Sequence, residues 1–96
     1  MFYAKMHKGE GQKILAVCDK DLLGKTLISK DIKIFIDPKF YGEKMFDKGE
    51  ILSMISESSI INAFGNEIVK FLIEEGIVKN AKEFGGQLHA QVYKIL

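Results

Sequence analysis

The spacing of apolar and polar residues predicts four β-strands along this chain. Residues 2–7 alternate between apolar and polar or aromatic side chains, as a strand with one covered face does. Residues 13–18 are almost continuously apolar, and the short glycine-containing link before them predicts an antiparallel hairpin with the first strand. Residues 32–36 and 87–95 predict two further strands. In the third strand, the residues expected to face the core are Ile32, Ile34 and Ile36.

Two stretches have the features of helices. Asp47 followed by Glu50 has the form of a capping box, so we expect a helix over residues 48–56. Residues 60–75 carry an apolar stripe at helical spacing and end at a glycine, which predicts a second helix with a left-handed C-cap. Gly65 lies beside that stripe, and it predicts either a close approach of this helix to the sheet or a break between two helical pieces.

Together these elements predict an α+β fold. We expect a single domain over residues 1–96, in which a small, mainly antiparallel sheet of about four strands packs with one face against two helices. The last strand is expected inside the sheet, beside an earlier strand. With 47% hydrophobic and 28% charged residues, the composition is that of an ordinary globular protein, so no disordered segment is expected.

Charge argues against general binding to nucleic acid or to acidic membranes, because the net charge is only +1. The charge is uneven, however, since residues 1–48 carry ten lysines and seven acids and the remainder is acidic. All fourteen basic residues are lysines. The absence of arginine removes the bidentate donor that favours recognition of phosphates and base edges. We therefore expect no strong sequence-specific recognition of nucleic acid.

The lone Cys18 lies in an apolar run, which predicts a buried thiol and excludes an internal disulfide. The longest apolar run is too short to span a bilayer, and residues 1–7 do not have the form of a signal peptide. We therefore expect a cytoplasmic protein with no membrane partner.

The run Gly24-Lys25-Thr26 has the ending of a nucleotide-binding phosphate loop. That loop requires a glycine five residues before Gly24, because its backbone amides must wrap the phosphates, and Asp19 stands there instead. We therefore interpret the run as a tight turn with Gly24 in the left-handed region.

The candidate site centres on residues 85–93, where a glycine pair precedes an alternating strand. His89, Gln91 and Tyr93 would share the face opposite the core, with neighbours roughly 6.6 Å apart, two strand rises. His89 and Gln91 would then hold one ligand group together. The alternative is an ordinary solvent-facing strand, since one histidine and one glutamine form no motif with a mechanism.

Other polar residues extend this site if the fold brings them close. Asn62 and Asn66, four apart, would either cap a break at Gly65 or form a polar edge facing a ligand. Phe40 is expected to plug the end of the core, whereas the role of Tyr41 is open between a core contact and a contact surface. The ligand-binding candidates are His89, Gln91, Asn62, Asn66, Tyr41, Lys25 and Gly86. If the first and last strands are neighbours, Tyr3, Lys5, His7 and Tyr93 would complete an aromatic and cationic platform.

The chain resembles a family of small archaeal proteins, domain-of-unknown-function family 424. The resemblance covers nearly the whole length, and the spacing between its pieces fits. It rests on the runs Leu22-Leu23-Gly24-Lys25, Phe40-Tyr41-Gly42, Asn62-Ala63-Phe64-Gly65, Gly76-Ile77 and His89-Ala90-Gln91-Val92. The family pattern has a proline before the histidine where this chain has Leu88, so a rigid turn is not expected there and strand pairing would start earlier. The resemblance implies no established activity.

Three functions follow from these residues, in descending order of preference. The first is a binding module for RNA or a ribonucleoprotein of the translation apparatus, since aromatic and cationic sheet faces stack single-stranded bases. The translation link is an analogy with small archaeal housekeeping proteins. The second is a protein-interaction subunit without its own ligand. The third is an enzyme with His89 as acid or base, aided by Tyr41, Lys25 or an asparagine. No catalytic residue is predicted, because the sequence shows neither a group that would orient His89 nor a nucleophile or metal beside it. No metal site is predicted, because the histidines and Cys18 lack the spacing of metal ligands, and no cofactor is predicted.

Overall fold

The structure of the protein is a computed structural model that describes residues 1–94. Its main sheet has six strands in these residues, and a separate pair of strands forms a hairpin. In spatial order the main sheet contains β5 (Met45–Phe46), β1 (Phe2–Gly9), β2 (Gln12–Asp19), β6 (Ile60–Phe64), β8 (Gln87–Tyr93) and β7 (Lys82–Phe84). The separate hairpin contains β3 (Thr26–Ser29) and β4 (Ile32–Phe35). The helices are α1 (Pro38–Tyr41), α2 (Lys48–Glu57) and α3 (Asn66–Glu74).

The α+β class and the mainly antiparallel sheet are confirmed, although the sheet is larger than expected. Only β2 and β6 pair in parallel among the described strands. The hairpin of β1 and β2 is also confirmed, with Gly9 opposite Gln12 at its closed end. Glu10 and Gly11 both have positive φ, 48° and 77°, as the two-residue turns that match strand twist require.

The prediction of one helix over residues 60–75 is wrong in its first part. Ile60–Phe64 is a central strand, parallel to β2 and antiparallel to β8. A short apolar run covered on both faces has no period that separates a strand from a helix, and its two adjacent isoleucines favour the strand. The long connection that parallel pairing needs runs from β2 to β6 through the β3–β4 hairpin, α1, β5 and α2.

The third predicted strand exists, but its place in the fold was predicted wrongly. Ile32–Phe35 pairs with β3, a strand that was not predicted, and takes no part in the main sheet. Ile36 is fully buried as expected, whereas Ile32 is 60% exposed because it lies at the outer end of the projecting hairpin. The expected tight turn before this hairpin is confirmed, with Gly24 at φ 81°.

Both faces of the main sheet are covered, which is the reason for its nearly continuous apolar strands. One face packs on α2 and α3, in a core that includes Leu15, Ile51, Ile61, Ile68 and Leu72. The opposite face is partly covered by the β3–β4 hairpin and α1, in a second core that includes Cys18, Leu22, Ile36, Tyr41 and Phe64. None of the helices among residues 1–94 is long and apolar enough to span a membrane.

The two longer helices begin at side-chain caps. In α2 the predicted capping box is present: Asp47 Oδ1 accepts from the Glu50 amide at 2.8 Å, and Glu50 Oε1 accepts from the Asp47 amide at 3.0 Å. In α3 the cap comes from the end of β2, since the Asp19 carboxylate accepts from the Glu67 amide at 2.9 Å and from the Ile68 amide at 2.7 Å. This remote cap ties the start of α3 to the centre of the sheet.

Residues 82–93 form a second hairpin, in which the predicted last strand is preceded by a short strand that was not predicted. β7 and β8 pair across Gly85 and Gly86, whose φ values are 58° and 84°. The last strand lies inside the sheet as expected, between β6 and β7. Ile95, which we assigned to this strand, lies outside the described residues.

Candidate functional site

The strand registers align side chains in rows on the sheet face that α2 and α3 leave free. From β1 through β2 and β6 to β8, these rows are Tyr3–Cys18–Phe64–His89, Lys5–Ala16–Asn62–Gln91 and His7–Ile14–Ile60–Tyr93. The first row lies largely under the β3–β4 hairpin and α1, whereas the other two are covered mainly at Ala16. We call the partly or fully exposed members the open face: Tyr3, Lys5, His7, Ile14, Ile60, Asn62, His89, Gln91 and Tyr93.

The centre of the open face is a hydrogen-bonded group of three side chains from three elements. Asn62 on β6 accepts at Oδ1 from the Tyr41 hydroxyl at 3.4 Å, and His89 Nε2 on β8 lies 3.2 Å from the same oxygen. Since Oδ1 is an acceptor, His89 carries a proton on Nε2 and leaves the lone pair of Nδ1 free. The fold therefore brings together three of the residues that the sequence singled out; their role in binding stays a prediction.

This group is electrically neutral near pH 7. Burial, and secondarily the charge of Lys82, lowers the pKa of His89 below its ordinary 6.5. Burial raises the pKa of Tyr41 as well, so its phenol remains a hydrogen-bond donor. The His89 ring stacks on Phe64 with centroids 4.6 Å apart, which fixes the ring plane. The site thus offers neutral donors and acceptors, with Gln91 exposed opposite Asn62.

His7 forms a second aromatic group at the far end of the open face. Its Nε2 lies 2.7 Å from the Phe40 carbonyl oxygen, and its ring stacks on Phe40 at 4.9 Å. Phe40 meets Tyr41 edge to face at 5.0 Å, so this group continues into the centre. Tyr41 is the buried member of the pair and Phe40 is half-buried, so Tyr41 contacts the second core while its hydroxyl reaches Asn62. A part for Tyr41 in ligand binding stays a prediction.

The platform residues do share one sheet face, but β1 and β8 are not neighbours. β2 and β6 lie between them, so His7 and His89 are separated by two strands. Tyr3 is half-buried against the second core, and Lys5 donates from Nζ to the Lys39 carbonyl oxygen at 3.2 Å. Tyr93 is 65% exposed. The aromatic groups therefore stand at the two ends of the face rather than side by side.

Asn66 and Gly86 belong to a different part of the fold. Asn66 starts α3, whereas Asn62 lies on β6, so the two asparagines do not form one polar edge. Its Oδ1 accepts from the Leu88 amide at 2.8 Å and its Nδ2 donates to the Gly86 carbonyl oxygen at 3.2 Å. These bonds hold the β7–β8 turn against α3. Lys25 lies exposed at the base of the β3–β4 hairpin, outside the open face.

Comparison with known proteins places the chain in a family. The model of the family described as "Protein of unknown function (DUF424)" matches residues 7–95. The chain belongs to the DUF424 family. It is also similar to a crystal structure of an uncharacterized conserved protein from Methanopyrus kandleri, with a TM-score of 0.81 and 27% identity over 96% of this chain and 90% of that one. No match was found among curated proteins.

Leu88 is the position where this DUF424 chain departs from the pattern that the resemblance implies. Its amide donates to Asn66 Oδ1 at 2.8 Å, and its carbonyl oxygen accepts from the Gly65 amide at 2.8 Å. A proline there would lack the N–H and lose the first of these bonds. Pairing accordingly begins at Gln87, before the histidine.

Lys82 lies at the candidate site of this DUF424 chain, and sequence reasoning missed it. It lies opposite His89, and together with Asn80, Gln91 and Tyr93 it lines a groove of about 370 Å³ beside β8. β7 begins at Lys82, opposite His89, so beyond His89 the edge of β8 that faces away from β6 has no strand beside it among the described residues. The alternation of Lys82-Glu83-Phe84 before a glycine pair is a hairpin signal that would have found it.

Proposed function

We propose that this DUF424 protein is a binding module whose open face binds single-stranded RNA, free or exposed in a ribonucleoprotein. The observation that carries the proposal is the chemistry of that face. Among the described residues, none of the strand positions on it is Asp or Glu, although the chain as a whole has thirteen acids. Lysines and aromatic groups surround a neutral hydrogen-bonding centre instead.

Each part of the open face matches one feature of an unpaired nucleotide. The exposed ring of Tyr93 offers a stacking surface for a base, and stacking of this kind is tolerant of sequence. The free lone pair of His89 and the exposed amide of Gln91 can pair with the edge of an unstacked base. Lys5 and Lys82, on opposite sides of the face, supply contacts to phosphates. A duplex would hide the base edges that this arrangement addresses.

The electrostatics also set the expected strength of binding. With two lysines at this face, Lys5 and Lys82, log K should fall with log salt by a slope of only about −0.7 per phosphate contact. Lysine lacks the planar fork of arginine, so the phosphates are held without fixed register and sequence preference is weak. Binding should therefore be modest and only mildly dependent on salt, consistent with a net charge of +1.

The experiment is fluorescence anisotropy with labelled single-stranded and duplex oligoribonucleotides over a range of salt concentrations. Tyr93→Ala should weaken single-strand binding by about 1–3 kcal/mol, the usual contribution of one stacked base. Lys82→Glu should weaken it as well. The charge-matched control is Lys70→Glu, because Lys70 is exposed on α3, which packs on the opposite face of the sheet. Equal losses for the two lysine variants, or equal binding of duplex, would contradict the proposal.

A second candidate function is a protein-interaction subunit, and the β3–β4 hairpin favours it. On one face of this hairpin Ile28 and Phe35 are 59% and 52% exposed, and on its other face Ile32 is 60% exposed, so the projection carries large apolar side chains open to solvent. Recovery of partners from native lysate with and without ribonuclease separates the two functions. Partners lost with ribonuclease support the open face, whereas partners that persist and are lost in Phe35→Lys support the hairpin.

A further inference from the structure

A second groove lies beside β1, away from Lys82 and Tyr93. It has a volume of about 470 Å³, and the lining residues that matter here are Lys5, Met6, Lys39, Lys44, Phe46 and Met54. It exists because β5 pairs only with Phe2 and Tyr3, and one further bond joins the Ala4 amide to the Lys44 carbonyl oxygen at 3.4 Å. From Lys5 onwards, β1 has no strand beside it on this side in residues 1–94.

The backbone of β1 presents hydrogen-bonding groups to this groove. The Ala4 amide points towards Lys44, and backbone groups on one side of an antiparallel strand recur at every second residue. The N–H and C=O groups of Met6 and Lys8 therefore point to the same side, where β5 has already ended. An edge of this kind is a template for the addition of another extended chain.

The two walls of the groove differ in chemistry because they belong to opposite faces of the sheet. Met6, Phe46 and Met54 line the groove and are partly buried against the core that α2 and α3 cover. Lys5 lies on the other face, where its Nζ contacts the backbone of Lys39. Successive side chains of an added strand would point to these walls in turn.

We propose that this groove binds an extended acidic peptide segment of a partner protein, which pairs with β1 as an additional strand and alternates apolar and acidic residues. Its apolar residues would cover Met6, Phe46 and Met54, and its acids would face the lysines. Charge complementarity determines the choice of occupant, since three lysines and one acid, Glu43, line the groove. A second copy of this chain fits less well. Antiparallel pairing of two β1 edges would bring Lys5 and Lys8 of one copy near the same lysines of the other, and like charges across two strands are destabilising.

The test uses the whole protein, labelled with ¹⁵N, and a short synthetic peptide in which glutamate and valine alternate. Saturable shifts should centre on the Met6 and Lys8 amides, whose hydrogen exchange should slow. Two further peptides carry N-methyl groups on one or the other alternate set of residues. One set faces β1 and the other faces away, so methylation of one set should abolish binding while methylation of the other changes the Kd by no more than about twofold.

Charge is tested with a lysine–valine peptide, which should bind at least about tenfold more weakly than the glutamate–valine peptide. The double variant Lys39→Glu/Lys44→Glu should lower the affinity for the acidic peptide by a similar factor, and Lys79→Glu, an exposed lysine outside the groove, should not. The proposal is overturned if both N-methylated peptides bind equally, if the two charge types bind equally, or if the shifts lie elsewhere. Concentration-dependent dimerisation that perturbs Met6 and Lys8 without peptide would assign the edge to a second copy instead.

Discussion

The carboxylate of Asp19 lies directly against the backbone of Gly65. A Cβ atom at position 65 would come within 2.6 Å of both carboxylate oxygens. The same carboxylate caps the first turn of α3, so the end of β2, the end of β6 and the start of α3 meet at one point. The missing side chain at Gly65 is therefore what allows the cap to form.

Gly65→Ala should lower the free energy of unfolding by about 2–4 kcal/mol, because it combines a clash, the loss of a cap and backbone strain. Gly65 has φ 129°, a region that residues with a Cβ rarely occupy. The larger Gly65→Leu should cost at least as much. The measurement is urea denaturation followed by circular dichroism.

Gly24→Ala is the matched control for this variant. Gly24 also has positive φ, 81°, but a Cβ there would meet no atom within 4 Å. Gly24→Ala should lower the free energy of unfolding by about 1 kcal/mol, because backbone strain is its only effect. If the two alanine variants lose the same stability, the contact with Asp19 contributes nothing.

Asp19→Ala should destabilise the protein by about 1–3 kcal/mol, since it leaves the amides of Glu67 and Ile68 without their acceptor. The double variant with Gly65→Ala should lose clearly less than the two single losses together, because the alanine at 65 then has room. If the double variant loses as much stability as the two single variants added together, the two residues act independently.

The sequence alone predicts the parts of this fold that depend on local pattern. The hairpin of β1 and β2, the capping box of Asp47 and the turn at Gly24 each depend on neighbouring residues, and each is confirmed. Ile60–Phe64 depends instead on burial between β2 and β8, which no short window records. In the same way, the sequence identifies Asn62 as a candidate but not its hydrogen bond with His89. That bond depends on the pairing of β6 with β8, and the sequence pattern predicted a helix where β6 lies.

The missed residues of the site have the same physical origin. Asp19 was considered only as the wrong residue for a phosphate loop, because its actual partners, the amides of α3, lie 48 and 49 positions away in the chain. Lys82 lies in no element that the sequence pattern predicts, although its charge, opposite His89, lowers the pKa of that histidine. Long-range partners of this kind follow from topology, which spacing does not supply.

Stability should fall on acidification through the protonation of His89. Its pKa is lowered in the fold, first by burial and then by Lys82, so the unfolded chain binds the proton more readily. The stability that the neutral imidazole contributes is fully present above pH 6.5, the pKa of His89 in the unfolded chain. It is lost as the pH falls from there through the lower pKa of the folded protein. In an NMR titration the His89 ring should have its midpoint below 6.5.

His89→Gln provides the comparison, because glutamine keeps a donor towards Asn62 without titrating. The stability of this variant should depend less on pH between about 7 and 5 than that of the wild-type protein. Lys82→Gln should raise the titration midpoint of His89, because it removes the positive charge that is the second cause of the lowered pKa. A midpoint at or above 6.5 in the wild-type protein would show that the ring is solvated.

Cys18 should be unreactive in the folded protein. Its side chain has no exposed surface, and burial, with a smaller contribution from Asp19, raises the pKa of the thiol to about 12. Since the thiolate is the reactive form, alkylation should proceed only through unfolding. Labelling with iodoacetamide in native buffer and in urea measures this difference, and rapid labelling of the native protein would contradict it.

His89→Ala separates a binding role from a structural one. The ring is half-buried, stacked on Phe64 and bonded to Asn62, so the melting temperature should fall by a few degrees while the fold persists. Single-strand RNA binding per folded molecule, measured by anisotropy, should fall at least about tenfold because the free lone pair and the orientation of Asn62 are both lost. The structural control is Asn66→Ala, which removes the two bonds to the β7–β8 turn and should lower stability without lowering affinity per folded molecule. Equal affinity of folded His89→Ala and wild-type protein would assign His89 to the core and move the search for the site to the β3–β4 hairpin.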